Sequence, residues 1–476
     1  MVKCLNSRSW DTVNWRHVHY RVRKMQQKIA IAAVSKDWHK VRDLQKMLYH
    51  SRDAKMLAVQ RVTSKRMKRT PGIDGLFWGE DKTKFEAVER LCYQDYEPSP
   101  FKRIYVPKEN DKSRLRPLSV PIIFDRAMQG LFLLGVDPVV ESYADMHAYG
   151  FRKYRSSLDV IRDVVEGMNL TKGNTWVLVS DVHECFDHLS HEWILKHAPM
   201  SKKILRKILQ CGYVHKNIYY NMKEGMPQGG VLSPVFTTLV LCGMEGILEG
   251  KYPNEGVKII RYVDDYLVTG RSKEIMECVL NDLREFLEIR GLTLSESKTK
   301  IMHISEGFNF IGWHFVRNNK GLEISPSVEK MDDVMRRMRD IIVQGKKWDP
   351  EKLILKLNDI VSGWGCYHAY KCTPDWFIPL DDKVSSMLWR WVKNKHPDEN
   401  NQWILNQYWR NRIGSERIFG SGNTLLLRFE DIQIREPDPL DLRKNPYIDI
   451  EYFRGREKHI HLPTSERAIE LKQRIW

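Results

Sequence analysis

The amino-acid sequence predicts an α+β fold in which helical segments lie on both sides of a mixed middle. Apolar residues recur at spacings of three and four before residue 68 and again from about residue 326, as in helices that bury one face. Between these segments lie short runs rich in β-branched residues, and two of these runs are followed directly by acidic residues. A chain of 476 residues is long enough for several domains of ordinary size.

The N-terminal segment is predicted to form basic helices. Between Arg21 and Thr70 the sequence has 15 Lys or Arg residues but only three acidic residues, with Trp38 and Tyr49 among them. Each cation that contacts a phosphate releases counterions and so adds salt-dependent affinity. We therefore expect residues 1–75 to be a helical RNA-binding extension that ends in the loop Thr70–Gly75.

The whole chain is basic as well. Its 77 Lys and Arg residues exceed its 61 Asp and Glu residues by 16. This surplus favours a polyanionic partner, although a merely soluble basic surface would have the same balance. The eight cysteines include no C-x-x-C pair, which argues against a disulfide framework and a zinc ribbon. No window approaches the roughly 20 apolar residues of a membrane span, so we expect no membrane partner and a cytoplasmic location.

The middle of the chain alternates between strand and helix patterns. Lys102–Pro121 is predicted to form a hairpin with a basic rim, and single strands are predicted at Trp176–Ser180 and Val257–Tyr262. Helices are expected at Ser327–Ile342 and Glu351–Tyr370. The last 60 residues, with several prolines and mixed charge, are expected to be irregular.

The sharpest chemical signal is a pair of adjacent aspartates, Asp264 and Asp265, between two β-rich runs. An isolated pair of this kind is typical of a surface hairpin, because Asp tolerates turn geometry. Asp181, however, ends another apolar strand. Three carboxylates at strand ends suit Mg²⁺, and two such ions can activate a 3′-hydroxyl and stabilise a leaving pyrophosphate. The pattern predicts nucleotidyl transfer with two Mg²⁺ ions, with Mn²⁺ as an alternative metal.

In order and spacing, these motifs and their neighbours resemble the reverse transcriptases encoded by group II introns. Tyr262–Asp265 resembles the Y-x-D-D signature of that family, and Asp181 resembles its first metal aspartate. The resemblance covers most of the chain. It implies that Asp181, Val182, Asp264 and Asp265 hold the metals, with Asp264 the stronger ligand of the adjacent pair. It also implies a right-hand polymerase with fingers, a palm and an α-helical thumb.

Two positions match residues that contact the incoming nucleotide in this family. Phe186 falls where a bulky aromatic side chain would exclude a 2′-hydroxyl and so select dNTPs, and a core Phe after a strand is the alternative. Met226–Pro234 resembles the family's P-Q-G-x-x-x-S-P segment, which lies beside the nascent base pair. Its Gly-Gly turn allows close approach of the backbone, and Gln228 is the predicted nucleotide contact.

Basic residues are predicted to meet the triphosphate. The hairpin Ile104–Leu118 resembles the fingers of the family, and Lys108 and Arg116 are its candidate cations, since Lys offers a point charge and Arg a bidentate fork. Arg152 matches a later block, with a structural ion pair as the alternative role. Lys298 matches a lysine near the leaving pyrophosphate, which implies a general acid.

The resemblance extends to segments in the rest of the chain. Phe308–Trp313 resembles the block that holds the primer end, and the stretch from Val361–His368 through Trp389–Pro397 resembles the thumb and maturase region. Aromatic residues of the thumb and maturase region would stack on bases, or else form a Trp-rich helical core. Without the paired cysteines of an H-N-H endonuclease, we expect the protein not to cut its own target strand. The predicted domains are the N-terminal extension, fingers and palm, thumb, and a basic tail with a possible nucleic-acid-binding remnant: 1–75, 76–320, 321–398 and 399–476.

The predicted reaction is the addition of dNTPs to a DNA or RNA primer on an RNA template, with a structured RNA as partner. That RNA would be an intron or a dedicated non-coding RNA. Two alternatives stay open. One is a domesticated enzyme in phage defence, for which Val263 in place of the more usual Ala leaves room. The other is a splicing maturase that no longer polymerises, which the presence of all three aspartates disfavours as a sole function. The sequence does not indicate an oligomeric state.

Overall fold

The computed structural model describes residues 9–64, 70–107, 113, 115–170, 173–411, 417–432 and 438–460. The chain divides into two compact units, and both are discontinuous in sequence. The first unit comprises residues up to Gly167 together with Thr171–Ile301 and Leu440–Phe453, and the second consists mainly of Met302–Pro439. The finer division into fingers, palm, thumb and tail stays a prediction.

The α-helices are, in chain order, α1 (Trp15–Val34), α2 (Trp38–His50), α3 (Arg52–Thr63), α4 (Asp81–Arg90), α5 (Ile123–Glu141), α6 (Ser157–Leu170), α7 (Cys185–His188), α8 (His191–His197), α9 (Lys202–Gln210), α10 (Ser233–Leu241), α11 (Met244–Lys251), α12 (Lys273–Glu288), α13 (Val328–Gln344), α14 (Pro350–His368), α15 (Ile378–Lys395), α16 (Asn401–Tyr408) and α17 (Ile450–Ile460).

The strands are, in chain order, β1 (Phe101–Pro107), β2 (Leu115–Val120), β3 (Ala148–Tyr149), β4 (Trp176–Asp181), β5 (Tyr213–His215), β6 (Ile218–Tyr220), β7 (Lys258–Tyr262), β8 (Asp265–Gly270), β9 (Lys300–His303), β10 (Phe308–Phe310), β11 (Trp313–Asn318), β12 (Gly321–Pro326), β13 (Trp409–Asn411), β14 (Arg417–Ser421) and β15 (Thr424–Leu425).

The predicted N-terminal helices are present as α1, α2 and α3, and they bury their apolar faces in a core shared with α5. Pro138 in the last turns of α5 has no N–H, so the carbonyl of Leu134 lacks its partner within the helix. The buried amide of Gln26 in α1 donates to that carbonyl at 2.9 Å. Gln45 in α2 donates in the same way to the carbonyl of Gly135 at 2.9 Å. Two buried side-chain amides therefore connect α1 and α2 to α5 by hydrogen bonds.

Two sheets position the site in the first unit. One has the strand order β3-β7-β8-β4-β9 and contains the predicted strands before the aspartates. The other has the order β2-β1-β5-β6 and contains the predicted hairpin, with β1 and β2 antiparallel. Strand β4 reads as a continuous apolar run because most of it is buried within the first sheet. The expected strands and hairpin are confirmed.

The second unit contains the predicted helices α13 and α14, with α15 packed against α13 around a core of its own. The expectation of an irregular C-terminal segment is wrong for part of it. Strands β14 and β15 and helix α17 lie within those last 60 residues, and β14 pairs with β13 just before them. Trp409 and Phe419, opposite each other in β13 and β14, are buried in this core. Strands of two to five residues are too short to show the alternation by which a sequence reveals them.

In the described part of the chain no helix is both long and apolar enough to cross a membrane. Each cysteine that the structure describes is a free thiol.

Candidate active site

Three carboxylates meet at one edge of the five-stranded sheet. Strand β4 ends at Asp181 and strand β8 begins at Asp265, and because these neighbours are antiparallel the two residues lie opposite each other. Asp264 belongs to the turn between β7 and β8, and its carbonyl accepts a hydrogen bond from the Val182 N–H at 3.2 Å. The three predicted metal-binding aspartates are thus brought together from positions 84 residues apart, counted from 181 to 265.

Burial and mutual repulsion raise the pKa values of two of these aspartates. Burial, followed by the negative charge of Asp181, raises the pKa of Asp264 above its ordinary value. The same causes, together with the charge of Asp264, raise the pKa of Asp265 to about 7. Like charges that are held this close disfavour ionisation, and a divalent cation would relieve that cost. The donor set of carboxylate oxygens therefore fits a hard cation such as Mg²⁺.

Lys298 is the cation that faces these aspartates. Its ammonium lies 2.5 Å from Oδ2 of Asp181. Burial opposes the charge of Lys298, but the hydrogen bond to Asp181 and the nearby carboxylates outweigh burial and raise the pKa of the lysine. Lys298 comes from the segment that pairs with the end of β4, where the Ser295 N–H donates to the carbonyl of Asp181 at 2.7 Å. The predicted general acid is therefore in contact with the cluster.

The turn that carries Asp264 is held in an unusual conformation. Val263 has a φ of +56°, which is strained for a β-branched residue. Its N–H donates to the carbonyl of Tyr149 at 3.0 Å, and its carbonyl accepts from the guanidinium of Arg261 at 2.9 Å. A Cβ on Gly150 would lie only 2.4 Å from Cγ2 of Val263. The loop after β3 therefore fixes the turn, and only glycine leaves space for it.

The two predicted nucleotide contacts lie on adjoining segments. Phe186 is in α7, half-buried, with its ring edge-on to Phe151 at 6.3 Å between centroids. The carbonyl of Phe186 accepts from the N–H of Met226 at 2.6 Å. Gln228 follows two residues later, with Nε2 at 3.4 Å from a carboxylate oxygen of Asp187. Helix α7 and the P-Q-G segment are therefore joined directly through the backbone.

The P-Q-G segment also contacts the fingers hairpin. The Ser119 N–H in β2 donates to the carbonyl of Gln228 at 2.6 Å. At Gly229, where φ is +106°, a Cβ would lie 2.7 Å from the carbonyl oxygen of Ser119. The close approach that the sequence suggested for this Gly-Gly turn is thus an approach to the backbone of β2.

The three basic candidates have different positions. Lys108 lies outside the described residues. Arg116 is exposed in β2, and its positive charge partly offsets the raised pKa of Asp264, which places it near the carboxylates. Arg152 is buried, in a two-pronged ion pair with Glu141 at 2.7 and 2.9 Å. Its remaining group donates to the carbonyls of Asp145 and Ala148.

Because the guanidinium of Arg152 is occupied by protein partners, the structure favours the structural ion pair, the alternative given from sequence, over the predicted substrate contact. Glu141 is in α5, at the far end of a helix that shows no acidic motif in the sequence. The pairing could not be inferred from the local pattern around Arg152.

Several supporting contacts were not predicted. The Ser180 and Thr299 hydroxyls lie 2.8 Å apart, and the His183 N–H donates to the carbonyl of Thr293 at 2.9 Å. The edge contact between Phe186 and the exposed ring of Phe151 was also not predicted. For the pairing near Thr293, the sequence offers as a signal a short alternation of apolar and polar residues. Because the bridge from Val182 to Leu294 is isolated, this alternation is too short to show a clear period.

In the second unit, the aromatic residues form a core. The Trp391 side chain is buried and its indole N–H donates to the carbonyl of Gly345 at 3.1 Å. Trp364 packs edge-on against Phe429 at 5.2 Å. Of the two readings of this region, the structure favours the Trp-rich core over base stacking at these two residues. The aromatic residues of Phe308–Trp313 are buried as well.

Three family models match the chain. The model described as reverse transcriptase (RNA-dependent DNA polymerase) matches residues 106–315, and the N-terminal domain of reverse transcriptase matches residues 10–91. The maturase-specific domain of group II introns matches residues 331–409. The chain belongs to the group II intron reverse transcriptase and maturase family. This confirms the predicted family and an α+β fold with a reverse transcriptase domain, and that domain indicates an RNA-directed DNA polymerase.

Curated relatives in this family are distant in sequence. Protein YkfC of Escherichia coli is 28% identical over 62% of this chain and 88% of its own length. The group II intron-encoded protein LtrA of Lactococcus lactis is 24% identical over 58% of this chain and 57% of LtrA. The putative COX1/OXI3 intron 1 protein of Saccharomyces cerevisiae is 25% identical, with 43% of its length covered. This chain thus spans about half the length of the two intron proteins.

Among solved structures, telomerase from Candida albicans in complex with a fragment of telomeric RNA matches with a TM-score of 0.38 and 16% identity. The match covers 63% of this chain and 54% of the telomerase chain. The family matches imply RNA binding and a general dependence on divalent metal ions.

Proposed function

We propose that Asp181, Asp264 and Asp265 hold two Mg²⁺ ions with which the protein adds dNTPs to a primer 3′ end on an RNA template. The observation that supports this most directly is the register of β4 and β8, in which Asp181 lies opposite Asp265. Val182 has no donor atom in its side chain, so it would contribute its carbonyl oxygen. When bound, the metal ions supply charge stabilisation to the attacking and leaving oxygens.

The protein's own groups have distinct roles in this proposal. Lys298, whose raised pKa keeps it protonated, donates a proton to the leaving pyrophosphate. Arg116 and Lys108 pair with the triphosphate. Phe186 closes the space beside the sugar C2′, and Gln228 contacts the nascent base pair.

The natural RNA partner in this proposal is a group II intron. The match of residues 331–409 to the maturase-specific domain favours this RNA over a dedicated non-coding RNA. Maturase activity and DNA synthesis would then belong to one chain.

Primer extension tests the proposal. Wild-type protein, a DNA or RNA primer on a generic RNA template, dNTPs and Mg²⁺ should give extended product, and an Asp264→Ala, Asp265→Ala variant should give none. Extension by the variant would overturn the assignment. If neither protein extends but both bind RNA tightly, the maturase without polymerase activity becomes the better account.

A further inference from the structure

A second group of possible metal ligands lies on the turn after Asp181. Within the described residues, His183, Glu184 and His188 place ring nitrogens and a carboxylate oxygen within 4.8 Å of one another. A second carboxylate lies at the other nitrogen of the His188 ring, since Oε1 of Glu224 is 3.3 Å from Nδ1 whereas Oε2 of Glu184 is 3.7 Å from Nε2. The group of His183, Glu184 and His188 combines two imidazoles with one carboxylate, whereas the aspartate cluster of the polymerase site offers side-chain oxygens alone.

The backbone beneath these side chains is tightly held. Glu184 has a φ of +42° and a ψ of +47°, a left-handed conformation that is strained for a residue other than glycine. A Cβ on Gly225 would lie 2.4 Å from the carbonyl oxygen of Asp187. A Cβ on Gly291 would lie 2.7 Å from the carbonyl oxygen of His188. Two glycines thus allow the chain to close around α7, so the ligand-bearing backbone is largely ordered before any ion binds.

The side chains are accessible and nearly in place. The His183 and His188 rings are almost parallel, 20° apart, with centroids separated by 6.1 Å. Glu184 and His188 side chains are 56% and 39% exposed, so an ion can reach them from solvent. Ligand atoms about 2.0–2.1 Å from a tetrahedral zinc ion lie roughly 3.3 Å apart, so the side chains must close by up to about 1.5 Å. Exposed side chains can make that adjustment by rotation.

We propose that His183, Glu184 and His188 form a second metal site, which takes a first-row transition-metal dication such as Zn²⁺. Glu224 would accept a hydrogen bond from Nδ1 of His188 and so orient the ring for binding through Nε2. Imidazole nitrogens suit Zn²⁺, Co²⁺ and Ni²⁺, whereas Mg²⁺ takes oxygen ligands. Three protein ligands and a water molecule would complete the tetrahedral coordination of zinc. The ligands differ from those of the aspartate cluster, so this site does not depend on the proposed polymerase mechanism.

Isothermal titration calorimetry of the full chain with Zn²⁺ tests the site. An Asp264→Asn, Asp265→Asn background and millimolar Mg²⁺ suppress binding at the aspartate cluster. In this background we expect one Zn²⁺ per chain, and we expect His183→Ala, His188→Ala to weaken binding at least tenfold. The visible spectrum of bound Co²⁺ should lose its intensity in the same variant.

Two further variants sharpen the result. His39→Ala removes an exposed histidine that lies 3.1 Å from Asp43, and it should bind Zn²⁺ as the background does. Glu224→Gln changes a side chain that is 62% exposed, so folding is not at risk, and it should weaken binding several-fold. Absence of Zn²⁺ binding in the background, or equal affinity in the double-histidine variant, would overturn the proposal.

Discussion

At the scale of single residues, Phe186 is the side chain expected to choose between the two kinds of nucleotide. It is half-buried beside the P-Q-G segment and makes an edge contact with Phe151. We expect Phe186→Val to open space for a 2′-hydroxyl and to lower discrimination against ribonucleotides by roughly 10–100-fold. The ratio of kcat/KM for dNTP and rNTP measures this.

Tyr20→Val, which alters an exposed aromatic side chain of α1, is the control and should keep the wild-type ratio. An unchanged ratio in Phe186→Val would instead mean that Phe186 is a packing residue.

His368 should make the second unit sensitive to acid. It is 1% exposed, and burial lowers its pKa to about 3. In the unfolded chain the imidazole takes up a proton near pH 6.5, whereas in the folded protein it stays neutral down to about pH 3. The unfolded state therefore binds more protons in this window, and stability is lost as the pH falls through it.

From pH 7.5 to pH 5 this residue alone should cost about 2 kcal/mol of unfolding free energy. His368→Phe cannot titrate and should not lose this increment. Urea unfolding of both proteins, followed by tryptophan fluorescence at the two pH values, is the measurement. Equal pH dependence in the two proteins would show that His368 is not buried in the neutral form.

At the residue scale, the meeting of the three aspartates could be predicted because its signal in the sequence is local. Asp181, Asp264 and Asp265 each follow or begin a strand whose pattern is visible in a few residues, so their meeting could be expected. The role of Arg152 depended on its partner Glu141, which belongs to a helix without an acidic pattern. The choice between substrate contact and structural ion pair therefore required the fold.

At the scale of secondary-structure elements, the loop after β3 should control the catalytic turn. Gly150→Ala would place a Cβ 2.4 Å from Cγ2 of Val263, and must displace the turn that carries Asp264. We expect a loss of polymerase activity of at least roughly tenfold, since small misplacements of reacting groups are costly.

Val263→Ala should partly suppress this defect. It removes Cγ2, and the next contacts of the new Cβ would be 3.2 and 3.6 Å. The double variant should recover several-fold over Gly150→Ala in single-turnover extension, while Val263→Ala alone stays close to wild type. Additive losses in the double variant would show that the turn is not positioned by Gly150.

The strands and helices with clear periodicity were predictable, including α1, α14, β4 and β7. The short elements were not. Strands β13 to β15 are held by the burial of Trp409 and Phe419, a tertiary effect that outweighs a weak local pattern. The pairing that brings Lys298 to Asp181 is likewise a short bridge, from Val182 to Leu294, which a sequence pattern cannot show.

At the scale of the whole molecule, the net charge of +16 should govern RNA binding. If six to ten phosphates are contacted, affinity should fall by roughly 10³–10⁵ between 50 and 200 mM salt. Filter binding of a structured RNA across this range measures the slope. An Asp264→Asn variant, which removes a single negative charge, should give nearly the same slope. A dissociation constant that does not change with salt would contradict an electrostatic RNA interface.

The arrangement of the chain into units was less accessible to prediction than its motifs. Leu440–Phe453 belongs to the first unit although it follows the second in sequence. Tyr447 donates a hydrogen bond to Asp137, and Gln27 donates to the carbonyl of Ile448 at 3.3 Å. These contacts join positions more than 300 residues apart, and no local sequence pattern in either segment predicts them.

The most direct test of the central claim is single-turnover primer extension with Asp181→Asn. This change keeps the shape of the side chain and removes the charge opposite Asp265. Its control, Asp282→Asn, alters another carboxylate of the first unit, which pairs with Lys251. With an RNA template, a DNA primer, dNTPs and Mg²⁺, we expect Asp181→Asn to bind template and primer as the wild type does but to extend at least roughly 10³-fold more slowly. Asp282→Asn should extend normally. Extension by Asp181→Asn at the wild-type rate would contradict the claim that these aspartates hold the metals of an RNA-directed DNA polymerase.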